Sequence, residues 1–87
     1  MELEEIRKHL DRLDDAIVTL IAERLSYSRH VSKAKEESGQ DLFQPQREKL
    51  IIEKVKKLAS KHGLREELTQ EIFEKIIKES LEIQRGK

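Results

Sequence analysis

Five polar side chains stand where helical packing stripes want apolar ones. Early in the chain, Leu3, Ile6, Leu10, Leu13, Ile17 and Leu20 recur at alternating spacings of three and four, which is a heptad seam. The next positions of that count are Arg24, Tyr27, Val31 and Ala34. Lys35 follows Arg24 by eleven residues, about three full helical turns, so two cations line up on one face with Ser28 and Val31 between them. Later, Ile72, Ile76, Ser80 and Gln84 share a face at spacings of four, two apolar residues giving way to two polar ones. Glu48 precedes Ile52 by four and Val55 by seven, so it also lies on an inward stripe.

Burying an unpaired charge is costly, and Glu48 can neutralise only one of the two cations. The remaining positive charge calls for an anionic ligand. Ser80 and Gln84 add hydrogen-bonding groups suited to a small polar molecule. Taken singly, each residue reads better as a register device, or as a long side chain snorkelling to water. Five of them on three helices favour a site. Arg7 precedes Arg24 by 17 residues, about 25 Å along a helix, and is rotated from it by roughly 100°. The two cannot meet at one small ligand from the same helix. Either Arg7 reaches a ligand from a second copy of the chain, or it is an exposed arginine pairing with residues such as Asp11.

The elements that must position these groups are helices. The chain has 87 residues, 41% of them charged, and its three Gly and single Pro fall between periodic segments or at the end. Helix one is expected over about 3–38, stopped by Gly39. Helix two is expected over about 45–62, opened by Pro45 and closed before Gly63, with Ile51, Ile52, Val55, Leu58 and Ala59 as its stripe. Helix three is expected over about 65–84, with Leu68, Ile72, Phe73, Ile76 and Ile77 inward and Glu66 and Glu67 in its first turn. The fold class is therefore all-α, one domain over 1–87, with three helices per chain and a very long first helix.

That first helix is too long for its own chain. About 36 residues of helix span roughly 54 Å, whereas a compact globule of this length has a radius of gyration near 12 Å. The exposed part of the seam needs another surface, and a second copy is the economical source. A mid-helix bend would give a monomeric bundle instead, but no Pro or Gly lies between Leu3 and Ser38 to make one.

Composition excludes several functions. Lys plus Arg number 18 and so do Asp plus Glu, giving a formal net charge of zero, so nucleic acid is not an expected partner. Two Phe, one Tyr and no Trp offer no base-stacking platform. No cysteine is present, which removes disulfides and thiol chemistry. His9, His30 and His62 lack metal-ligand spacing, and no Gly-rich phosphate loop occurs, so neither a metal nor a cofactor is expected. No apolar run is long enough for a membrane span or a signal peptide core, and a cytoplasmic location is the expectation.

The ordered set IRKHLDRLD, LIAER, VSKAK, LFQPQRE and IIKESLEIQ resembles the all-helical chorismate mutase family over nearly the whole chain. The resemblance implies an intertwined homodimeric bundle with helix one shared across both halves. It implies an enzyme of aromatic amino acid biosynthesis in the shikimate pathway, rearranging chorismate to prephenate without covalent catalysis. By resemblance, Arg24 binds a carboxylate, and Arg7 is contributed to the other subunit's site for the second one. Lys35 reaches the ether oxygen and a carboxylate, and Gln84 donates to that ether oxygen. Glu48 accepts from the ring hydroxyl with Arg47 beside it, and Ser80 is a further carboxylate contact. Gln44 stands where many members carry Asp near the ring hydroxyl. Lys35, Gln84 and Arg24 are thus the expected catalytic groups. An isochorismate–pyruvate lyase on the same fold and a non-catalytic helical dimerisation module are the alternatives.

Overall fold

The computed structural model describes residues 1–86; Lys87, the last residue of the expected domain, lies outside them. Four helical segments follow one another: α1 (Leu3–Ser26), α2 (Ser28–Glu37), α3 (Pro45–Lys61) and α4 (Glu66–Gln84). No strand occurs among the described residues, and none of their helices is long and apolar enough to cross a membrane.

The expected first helix over 3–38 is one rod with an interruption, ending at Glu37 with Ser38 as its cap. The break falls at Tyr27, where neither Pro nor Gly stands, and a serine back-bond accompanies it. Ser26 Oγ donates to the Glu23 carbonyl at 2.5 Å, the acceptor the Tyr27 amide would use in a regular helix. The Tyr27 amide tightens instead onto the Arg24 carbonyl at 3.3 Å, and Val31 N resumes the normal pattern on Tyr27 O at 2.9 Å. Serine bonding back to the preceding turn competes with the helical ladder in this way. The other two expected boundaries shift by one residue: His62 caps α3 and Arg65 caps α4 instead of belonging to the helices.

Two turns fix where the loops go. Gly39 has φ +70° and Gly63 φ +73°, the left-handed conformation that ends a helix cheaply only at glycine. After α2, Gln40 N donates to Lys35 O at 2.8 Å and Gly39 N to Glu36 O at 3.2 Å. After α3, Leu64 N donates to Ala59 O at 2.8 Å and Gly63 N to Ser60 O at 3.2 Å. Both are paired closures of the last helical turn.

α3 and α4 form a hairpin whose interface holds the buried apolar residues Val55, Ala59, Ile76 and Ile77. α2 and the end of α1 rest on the same α4. The rest of α1 leaves the bundle. It has no buried residue, and Leu3, Leu10, Ile17 and Leu20 are each more than half exposed. The radius of gyration is 16.1 Å and the extents are 55 × 24 × 16 Å, so the rod projects as its length requires.

Candidate active site

A cavity of about 330 Å³ opens where α2, the loop after it, the first turn of α3 and the end of α4 converge. That is within the usual range for small-molecule sites. Arg24, at the end of α1, and Lys35, in the last turn of α2, enter from one wall. Gln44, Arg47 and Glu48 enter from the start of α3, and Ser80 and Gln84 from α4. The structure therefore brings seven of the eight expected site residues to one cavity. The eighth, Arg7, does not line it; it sits out along α1 and pairs with Glu4 at 2.7 Å.

Lys35 organises the cavity floor. Its Nζ donates to the Leu42 carbonyl at 2.6 Å and to Gln84 Oε1 at 2.8 Å. An ammonium only donates, so this contact fixes which end of the Gln84 amide is oxygen. Gln84 Nε2 then faces Ser80 Oγ at 3.2 Å, and its second N–H is left for a ligand. Ser80 Oγ lies 2.7 Å from Ser28 Oγ, which is buried. Burial lowers the Lys35 pKa from the ordinary lysine value, and the negative charge of Glu48 partly opposes that shift.

The guanidinium carbon of Arg24 lies 5.9 Å from the centre of the Phe73 ring, a cation–π contact that steadies the head group from beneath. Among the described residues, neither Arg24 nor Lys35 has a carboxylate within 4.0 Å; Arg7–Glu4 is the one direct ion pair. Three cations, Arg24, Lys35 and Arg47, against the single carboxylate Glu48 leave the lining with two excess positive charges. Such a lining suits a dianion.

Gln44 opens α3 with its carbonyl, which accepts from Glu48 N at 3.1 Å, while its side chain is tied to Gln40 Oε1 at 2.9 Å and does not cap the helix. Sequence reasoning missed two participants. Periodicity placed Ser28 on the face of Arg24 and Lys35, but it was not expected as a site residue. The Leu42 carbonyl carries no sequence signal, because its position depends on the turn at Gly39. No His, Cys, Asp and Glu cluster able to hold a metal occurs among the described residues.

The family described as "Chorismate mutase type II" matches residues 6–85 of this chain. The chain is 36% identical over 84 residues to "Chorismate mutase" of Methanocaldococcus jannaschii, covering 97% of this chain and 85% of that protein. It is 26% identical over 83 residues to "4-amino-4-deoxychorismate mutase" of Streptomyces venezuelae, covering 95% and 81%. It is also 35% identical over 57 residues to "Bifunctional chorismate mutase/prephenate dehydratase" of Aquifex aeolicus, covering 66% of this chain but only 16% of that longer protein.

Proposed function

We infer the reaction and its machinery from one premise: this chain belongs to the chorismate mutase type II family. It is an isomerase that rearranges chorismate to prephenate, a step towards the aromatic amino acids. The observation that carries the assignment of the site is the cavity in which Arg24 and Lys35 stand without carboxylate partners, with Gln84 and Ser80 beside them.

The reaction is unimolecular. An ether carbon–oxygen bond breaks as a carbon–carbon bond forms, and no proton or electron is exchanged with the protein. What the protein supplies is a folded, held substrate and stabilisation of the negative charge growing on the ether oxygen. Arg24 grips one carboxylate with a planar fork of donors. Lys35 and the free N–H of Gln84 aim at the breaking ether. Glu48 accepts from the ring hydroxyl, with Arg47 and Gln44 at the same end, and Ser80 donates to a carboxylate. Typical enzymatic accelerations start near a millionfold, about 8 kcal/mol, which positioning and preorganised electrostatics together can supply.

The second carboxylate is bound by Arg7 of another copy, in a homodimer. Two observations support this: Arg7 does not line the cavity of its own chain, and the α1 seam is uncovered. Completing the burial of a half-exposed Leu or Ile contributes roughly 1 kcal/mol, so six seam residues on each of two chains give an adequate driving force.

The test is to follow chorismate loss and identify the product at near-neutral pH without added metal. Prephenate is the expected product. A folded protein that leaves chorismate unchanged, or that acts only on isochorismate, overturns the assignment.

Lys35 also sets an expected pH dependence. The charged form is the one that donates to the ether, and burial favours losing that charge. Activity is present below the lowered pKa and lost as pH rises through it. The alkaline limb of kcat/KM is expected below the ordinary lysine value of about 10.4. The limb of kcat lies higher, because bound dianion holds the proton on Lys35. Gln84 is neutral and adds no acid limb. Profiles of both parameters from pH 5 to 10 check this.

A further inference from the structure

We propose that Ser28 is a positioning residue that turns the Ser80 hydroxyl hydrogen into the cavity; this rests on the chorismate mutase reading. Ser28 is the only buried polar residue among those described, 2% exposed. Its behaviour sets it apart from the other serines of the α1–α2 rod. Ser26 bonds back to Glu23 O, Ser32 to Arg29 O, and Ser38 to Ala34 O. Ser28 makes no such bond. Its hydroxyl crosses to α4 and meets Ser80 Oγ at 2.7 Å.

The direction of that bond follows from counting hydrogens. Ser28 Oγ has no partner besides Ser80. If Ser80 donated to Ser28, the Ser28 hydrogen would be buried with no acceptor, which is the costly arrangement. Ser28 is therefore the donor. Ser80 Oγ then accepts twice, from Ser28 and from Gln84 Nε2 at 3.2 Å. Both lone pairs are occupied, and the one hydrogen left on Ser80 points into the cavity it lines. The Lys35 and Ser80 contacts hold the Gln84 amide with its free N–H in place. Ser28 borders the same cavity but is 2% exposed, with its hydroxyl turned onto Ser80, so it sets the donor direction of the hydroxyl that faces the ligand.

The experiment compares kcat/KM on chorismate for the wild type, Ser28→Ala, Ser80→Ala and the double variant, alongside thermal midpoint and oligomeric state. Ser28→Ala is expected to lower kcat/KM about 3- to 10-fold, the range for one hydrogen bond. In the Ser80→Ala background the same change is expected to have less than about a twofold effect, because its action runs through Ser80. Ser28→Cys keeps the site filled with a weaker donor, and carries the comparison if the alanine variant does not fold. An equal loss in both backgrounds, or none in either, overturns the proposal and leaves Ser28 as packing. A wild type inert towards chorismate removes the functional reading, and this inference with it.

Discussion

Arg24→Ala is expected to lower kcat/KM on chorismate by about 10²- to 10⁴-fold while the protein stays folded. Leaving a desolvated charge without its partner costs roughly 3–5 kcal/mol, and each 1.36 kcal/mol is a factor of ten in rate. Here the stranded partner is a substrate carboxylate. The fold has little to lose from the change. Arg24 is half-buried, has no carboxylate within 4.0 Å, and stands on a stripe whose earlier members are Leu and Ile. Its removal relieves repulsion with Lys35 and Arg47 across the same cavity. The thermal midpoint is therefore expected to hold or rise. A helical dimerisation module would show the stability effect without any activity to lose, so the two measurements together separate the readings. Retention of wild-type turnover by Arg24→Ala would remove the cavity as the reaction site.

Mixing two dead proteins is expected to restore activity. Arg7→Ala and Arg24→Ala are each expected to be nearly inactive alone. In a mixed dimer, one site combines the intact Arg24 of one chain with the intact Arg7 of the other, and the second site lacks both. An equal mixture, unfolded and refolded together, yields about half mixed dimers by random pairing, and hence about a quarter of the wild-type sites. The measurement is specific activity after co-refolding, against each variant refolded alone. No recovery would mean that Arg7 acts within its own chain or not at all. The geometry speaks against action within the chain, because Arg7 is engaged with Glu4 on the projecting part of α1.

The candidate site was legible in the sequence where it lies on regular helix. Arg24, Lys35, Ser80 and Gln84 interrupt apolar stripes at helical spacing, and the structure turns all four to one cavity. Glu48 follows the same logic one turn into α3. Gln44 and Arg47 were reached by resemblance alone, because a helix cap and a first-turn residue have no stripe to interrupt. Tyr27 shows the opposite limit. Helix breaks are sought at Pro and Gly, but this one sits beside the Ser26 back-bond, and the same bond at Ser32 leaves the helix intact, so the serine residue alone does not signal it. The pairing of Ser28 with Ser80 spans 52 residues, so which hydroxyl turns back and which crosses is decided by tertiary packing.

The scarcity of buried apolar side chains in a single copy has a kinetic consequence. Val55, Ala59, Ile76 and Ile77 are too small a set to offset the ordering entropy of the whole chain. In the proposed homodimer the isolated chain is an incomplete folding unit, and the step that finishes it is an encounter between two molecules. Refolding from denaturant is then expected to have second-order character: diluting the protein slows the recovery of helix, and the thermal midpoint falls with dilution as well. In that homodimer, the abundance of the chain is itself a term in its stability.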